Sequence, residues 1–337
     1  MNNFLKILNE KNHILADGAT GTNLFGMGLE TGDPPEPWNI HHIDRIKALH
    51  QGFVDAGSDL FLTNSFGGTS FRLKLHGFEN QVFELNKAAA IIGREVVDDT
   101  DRLVVVAGSM GPTGEMIEPH GLMTPKQATE AFKVQAEGLV EGGADVFWLE
   151  TMYALEELEA AVDALGDFDL PICATMSFDT AGKTMMGITP ANLAKRAGEL
   201  GLVGFGANCG VGAPDLLATI TDINRHAGAD TTVISKANCG IPEYQDGEIV
   251  YTGTEDLMAE YVHLALNAGA KIVGGCCGTS FEHVRAMRRA MDVHQMNGRP
   301  SMADIESKVG KMSEGSKAIF SGNDAVPDKK RRSRRGR

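Results

Sequence analysis

Gly142-Gly143-Ala144-Asp145-Val146-Phe147-Trp148-Leu149-Glu150-Thr151 decides the reading of the fold. A glycine pair closes an amphipathic run, an unbroken apolar segment follows, and a carboxylate stands where that segment stops. Glycine after a helix suits a left-handed C-cap, which a Cβ would strain. Apolar residues without alternation mark a strand covered on both faces, as in parallel sheets flanked by helices. The same junction recurs at Ala56-Gly57-Ser58-Asp59 and at Ala268-Gly269-Ala270-Lys271.

Outward from these junctions, eight apolar runs can be followed: His13–Ala16, Asp59–Thr63, Leu103–Ala107, Asp145–Leu149, Leu170–Met176, Leu202–Ala207, Thr231–Lys236 and Ala270–Gly274. Each precedes an amphipathic stretch long enough for a helix, and Pro125, Pro190 and Pro214 sit near helix starts, where a missing N–H costs least. Strict alternation predicts a parallel α/β fold, and eight repeats favour closure into a single (β/α)8 TIM barrel over a doubly wound sheet. The barrel is expected over residues 1–292. Residues 293–337 read as a short polar C-terminal extension, flexible and basic at its end.

The 337 residues carry a formal charge of −14, yet Asp328–Arg337 alone hold a local +6, so the body is at −20. Such a body does not suit nucleic acid. No run of about 18 apolar residues appears, which argues against a membrane span. Met1–Glu10 shows no signal core, so a cytoplasmic location is expected, with the five cysteines reduced.

Barrel enzymes place their chemistry just past the C-terminal ends of strands. Those ends read Asp17-Gly18-Ala19-Thr20, Asn64-Ser65-Phe66, Gly108-Ser109, Glu150-Thr151, Asn208-Cys209, Asn238-Cys239 and Gly275-Cys276-Cys277-Gly278. A zinc ion that does chemistry takes three protein ligands and keeps one exchangeable position. Cys209, Cys276 and Cys277 fit that count. Adjacent cysteines in a strand would point to opposite faces, but glycines at 274, 275 and 278 allow a sharp turn that aims both sulfurs inward. The plain alternative, small buried hydrophobes, leaves the adjacency unexplained. It is the reading for Cys173, inside a strand, and Cys239 is read as a non-ligand.

The motifs Asp17-Gly18-Ala19-Thr20-Gly21-Thr22, Thr63-Asn64-Ser65-Phe66-Gly67, Gly111-Pro112-Thr113-Gly114, Leu149-Glu150-Thr151-Met152, Ala207-Asn208-Cys209-Gly210 and Gly274-Gly275-Cys276-Cys277-Gly278-Thr279 resemble those of the homocysteine S-methyltransferase family, and within it the bacterial betaine-homocysteine enzymes. The resemblance spans roughly residues 10–292 and implies the (β/α)8 barrel, a Zn2+ ion on Cys209, Cys276 and Cys277 with the substrate sulfur as fourth ligand, and transfer of a methyl group from glycine betaine to homocysteine. It also implies that Asp17 and Glu150 recognise the homocysteine ammonium. The turn at Gly18 and the loop at Ser109 are assigned to its carboxylate, Asn64 to the substrate site, and Trp38 to the onium face of the donor. Where the animal betaine enzymes have a donor-site tyrosine, this chain has Gly67, and Tyr244 or Tyr251 is a substitute. The alternatives are a sulfonium donor such as S-methylmethionine, a separate methyl-corrinoid protein, as in cobalamin-dependent methionine synthase, and a non-enzymatic zinc or thiol sensor. A homo-oligomer is compatible with the sequence, which shows no dimerisation arm.

Overall fold

A computed structural model describes residues 2–228, 231–245 and 248–322, without the side chains of 242–249. Ten strands appear in chain order: β1 Ile14–Leu15, β2 Leu60–Leu62, β3 Val105–Met110, β4 Val146–Met152, β5 Ile172–Met176, β6 Gly204–Cys209, β7 Thr232–Ala237, β8 Pro242–Gln245, β9 Glu248–Tyr251 and β10 Ile272–Gly275. All but β8 and β9 form one parallel sheet ordered β1-β10-β7-β6-β5-β4-β3-β2, with helices outside it. This is the expected (β/α)8 barrel. Pro125, Pro190 and Pro214 each sit in the first turn of a helix as expected, and Gly57, Gly143 and Gly269 adopt φ of +106°, +94° and +103° at the three junctions.

The barrel closes between β1 and β2 by an unusual route. β1 is two residues long and joins β2 by few main-chain bonds, because carboxylates do much of the pairing. Asp59 donates its N–H to Leu15 O at 2.7 Å and accepts the Leu15 N–H on Oδ2 at 2.9 Å. One layer higher, Asp17 Oδ2 accepts the N–H of Leu62 at 2.8 Å. Asp145 repeats the Asp59 device between β4 and β3, accepting the Val106 N–H at 2.9 Å. The acid that ends two of the three junction motifs is thus a strand-pairing group.

Inside the barrel, Ile14, Ala16, Leu60, Leu62, Trp148, Cys173, Ile234 and Ile272 pack into one dry cluster. Two residues further along the strands, the same face carries Glu150 on β4, Asn208 on β6 and Lys236 on β7. Polarity thus begins at the C-terminal mouth.

Two regions depart from the sequence reading. After β7, where the sequence reading placed no element, β8 and β9 pair as an antiparallel hairpin. Its signal, Asp246-Gly247 between two short β-rich runs, is the usual mark of a hairpin. The extension beyond residue 292, read as flexible, contains helices Met302–Val309 and Glu314–Phe320, which pack on helices Ala213–His226 and Glu255–Asn267 through buried Ile305, Val309 and Ile319. Only a few apolar residues make these faces, so periodicity over so short a span is faint. Ser301 and Asp304, which cap the first helix reciprocally, were the legible signal. The basic run at 328–337 lies outside the described residues.

Candidate metal and substrate site

Three sulfurs converge at the mouth. The Sγ atoms of Cys209, Cys276 and Cys277 all lie within 4.8 Å of one another, with Cys209 and Cys277 at 3.9 Å, and among the described residues no other His, Cys, Asp or Glu group is so arranged. Tetrahedral zinc with Zn–S bonds of about 2.3 Å sets its sulfurs about 3.8 Å apart, so the donor set fits the ion in chemistry and in spacing. Cys209 reaches this position with φ of +60°, uncommon for a residue with a Cβ. Thr151 has φ of +61°, and its N–H is held by Asn208 Oδ1 at 2.9 Å. Such strain persists where neighbours over-determine it, typically at functional sites. Cys276 and Cys277 turn out of β10 before Gly278, whose φ is +77°. Cys239 and Cys173 are buried and stand outside the cluster.

The thiols share their protons unequally. Cys277 accepts hydrogen bonds from Cys209, Cys276 and Tyr251, which hold it down at about 3 despite burial. Cys276 is pushed up to about 12: the hydrogen bond from Cys209 opposes this, while the one it gives Cys277 and its burial prevail. Cys209, donor to both other sulfurs, is pushed up furthest.

Asn208, Lys236 and Tyr251 also stand at this mouth, in contacts that sequence reasoning did not anticipate. Asn208 is fixed by Thr175, whose hydroxyl donates to its Oδ1 at 2.7 Å, and its amide approaches Cys276 Sγ at 3.7 Å. Lys236 is 2% exposed and donates to Asp17 Oδ1 at 2.5 Å. Tyr251 comes from the hairpin and packs over Gly278, where a Cβ would stand 2.3 Å from its own. Tyr244 lies outside the described side chains.

Of the expected substrate residues, Glu150 stands at the mouth, partly exposed, with Ser109 Oγ donating to its Oε1 at 2.5 Å. Burial pushes its carboxyl up to about 7, against the pull of Lys236. Ser109 orients Glu150 instead of offering its amide, because its N–H is taken by Thr63 Oγ1 at 3.0 Å. At Gly18 a Cβ would meet Thr279 O at 2.5 Å, so glycine there permits the close crossing of two loops.

Several residues of the expected site already have partners within the chain. Asn64 spends both amide hydrogens on Pro35 O and Asn39 Oδ1, which makes it an anchor for the loop after β1. Trp38 is 9% exposed; Arg45 stands over its ring at 4.8 Å and His42 packs at 4.6 Å. Gly67 leaves room for Glu36, whose Oε1 accepts its N–H at 2.6 Å and would stand 2.9 Å from a Cβ there. Asp17 is likewise engaged on both oxygens, by Lys236 and by Leu62.

The chain is similar to known proteins at several levels. It is 27% identical over 319 residues to the methionine synthase of Mycobacterium tuberculosis, which covers 88% of this chain and 26% of that protein. The methionine synthase of Mycobacterium leprae is 28% identical over 82% of this chain and 24% of its own. The chain thus spans about a quarter of the length of these curated relatives. In structure it matches the metallated homocysteine methyltransferase MmuM of Escherichia coli with a TM-score of 0.72 at 20% identity, over 86% of this chain and 99% of that one. A methyltransferase from Methanosarcina mazei matches with a TM-score of 0.57 at 12% identity, over 86% and 97% of the two chains. No helix among the described residues is long and apolar enough to cross a membrane. With the homocysteine S-methyltransferase profile matching residues 14–291, across the barrel and all three clustered cysteines, the chain belongs to that family.

Proposed function

We propose that the protein transfers a methyl group from a small onium compound, glycine betaine first among them, to the sulfur of homocysteine, giving methionine and, from betaine, dimethylglycine. The observation that carries this reading is the convergence of Cys209, Cys276 and Cys277 beside Glu150 at the mouth. The three cysteines would hold zinc, which when bound supplies a positive centre that keeps the homocysteine sulfur deprotonated near neutral pH. In the transfer a sulfur–carbon bond forms, the nitrogen–carbon bond breaks and its electron pair stays on the donor nitrogen, so no redox partner is needed.

The chain's own residues bind and orient. Glu150, steered by Ser109, takes the homocysteine ammonium, and Asn208 and Tyr251 fix Cys276 and Cys277. Tyr251 supports the donor side, since its hydroxyl touches Cys277 and its ring therefore lies beside the sulfurs. An aromatic face there suits an onium cation.

The test is methionine formation from homocysteine and, in turn, glycine betaine, dimethylsulfonioacetate, S-methylmethionine and dimethylsulfoniopropionate. Turnover with betaine supports the reading. Turnover with a sulfonium alone, or only with an added methyl-corrinoid protein as the methionine synthase likeness allows, would replace the donor and keep the acceptor. Zinc binding without methyl transfer from any donor would leave the sensor reading.

A further inference from the structure

Asn208 is fully buried at the end of β6, and its partners decide what it offers the sulfurs. Its Oδ1 accepts the N–H of Thr151 on β4 at 2.9 Å and the hydroxyl of Thr175 on β5 at 2.7 Å, while its Nδ2 donates to Thr151 Oγ1 at 2.8 Å. An asparagine amide has two donor hydrogens and two acceptor positions. Three of the four are taken by neighbouring strands. A main-chain N–H can only donate, so the atom that faces Thr151 N is the oxygen and the amide has one possible orientation. Its last hydrogen is left for Cys276 Sγ, 3.7 Å from Nδ2 on the far strand β10. Thr151 and Cys209, the two residues other than glycine with positive φ among those described, are the one Asn208 holds and the one that follows it. Backbone in that region persists where neighbours over-determine it. The amide is locked with its N–H on the sulfur.

The three sulfurs are not equally provided for. Cys277 has the Tyr251 hydroxyl, whereas Cys209 has only the other two thiols among the described residues. All three cysteines are half-buried, so access to solvent does not separate them.

We propose that Asn208 is a positioning residue whose N–H···S bond to Cys276 directs the methyl group, keeping that thiolate a ligand and a poor nucleophile so that the substrate sulfur is alkylated instead. The proposal rests on the zinc-thiolate reading of the site. A thiolate is both metal ligand and nucleophile, so in a site of three cysteine sulfurs and one substrate sulfur any of the four can attack an onium methyl. A hydrogen bond to a charged acceptor is strong, and it draws density from the lone pair that would attack. Asn208 and Tyr251 spend these hydrogens on Cys276 and Cys277, which leaves neither for the substrate. Cys209 is then the unguarded sulfur of the protein.

The experiment treats zinc-loaded protein with methyl iodide in the absence of homocysteine. A sulfur–carbon bond forms, the carbon–iodine bond breaks and iodide leaves with its electron pair, so each event adds one methyl group that peptide mass spectrometry assigns to a residue. In wild type Cys209 should be methylated before Cys276 and Cys277. Asn208→Asp keeps an acceptor for Thr151 and Thr175 but has no N–H for the sulfur. Cys276 should then be methylated on the order of tenfold to a hundredfold faster, the range for a hydrogen bond to a charged group. Asn208→Ala, which adds no charge, should shift the order of the cysteines in the same direction. With cobalt in place of zinc, the sulfur-to-metal charge-transfer band should move to lower energy in both variants, a change that a purely structural role would not produce. An unchanged rate at Cys276 in metal-loaded Asn208→Asp or Asn208→Ala would overturn the proposal. So would a wild type in which Cys276 reacts as fast as Cys209, a comparison that needs no variant to fold. A wild type that binds no zinc would overturn the reading of the site itself, a separate result.

Discussion

Asp59 and Asp17 clasp the same β1–β2 seam from opposite ends of the barrel, and their surroundings differ. At the N-terminal end Asp59 gathers Lys11 at 2.5 Å, Arg288 at 3.2 Å and Arg102 at 3.7 Å, cations whose side chains remain 42%, 23% and 37% exposed. At the mouth Asp17 has the nearly inaccessible Lys236, and Glu150 stands a short way off with a hydroxyl for a partner. One end has surplus positive charge in contact with water. The other is more buried and has one cation, Lys236, for two carboxylates. A barrel keeps stability at one end and chemistry at the other, and under the proposed function the ammonium of homocysteine would supply the second cation.

The largest effects should come from the sulfurs that share the mouth with this deficit. Cys276→Ala or Cys209→Ala should remove bound zinc and lower methyl transfer by more than about a thousandfold, as a lost ligand does in a three-thiolate site. Metal analysis of the purified protein reads the first and methionine formation the second. Cys239→Ala should keep one zinc per chain, since its sulfur stands outside the cluster. Full zinc in Cys276→Ala, or loss of zinc in Cys239→Ala, would show that the ligand set is wrong.

Glu150→Gln tests the deficit directly. Homocysteine affinity should fall about tenfold to a hundredfold with zinc content unchanged. The same change should stabilise the unliganded protein at high pH. In the fold Glu150 holds its proton up to about pH 7, against 4.5 in a free side chain. A carboxyl raised in this way contributes most below the unfolded value, and its contribution is lost as pH rises through about 7. Glu150 keeps some contact with solvent, so the gain for Gln at pH 8 should be about 1–2 kcal/mol, below the full value of the shift. Denaturant unfolding at pH 5 and pH 8 measures it: a gain at pH 5 as large as at pH 8 would mean that the charge is not its source.

Asp59→Asn is the mirror case. It leaves Lys11, Arg102 and Arg288 with one fewer counter-charge and weakens the acceptor for Leu15, so stability should fall by about 2–3 kcal/mol. Homocysteine affinity should stay within about twofold. A large change in affinity without a change in stability would erase the distinction between the two ends.

Much of this was legible in the sequence, for local reasons. Continuous apolar runs, glycine C-caps and proline helix starts are each dictated within a few residues, so the positions of the eight barrel strands could be read to within about three residues. The cysteine cluster was legible because packing alone rarely sets two cysteines side by side between glycines. Lys236 was not, because one lysine at a strand end looks solvated until β10 is known to offer Gly274 beneath it, a register 38 residues apart in sequence. For Trp38 the missing information is also non-local. Its sequence neighbourhood says that an aromatic ring is present, but whether the face is open depends on Arg45, one helical turn into the next element.

The smallest effect should be that of Tyr251→Phe, which removes one hydroxyl from the hairpin above the sulfurs. That hydroxyl hydrogen-bonds Cys277, and a partner of a metal ligand typically tunes affinity by tenfold or more when lost. Cys277 also has Cys209 and Cys276 as hydrogen-bond partners in the metal-free protein, and if zinc displaced the protons of those thiols to solvent, the phenol would be the partner left to Cys277. Zinc affinity, read by competition with a chelator, should fall by about tenfold or less. The aromatic face survives in phenylalanine, so the KM for an onium donor should stay within about twofold, whereas Tyr251→Ala should raise it further by the loss of a cation–π contact of about 1–2 kcal/mol. Equal donor defects in the two variants would place the hydroxyl, not the ring, against the donor, and the mouth would then meet its methyl source through a hydrogen bond at the edge of the sulfur cluster.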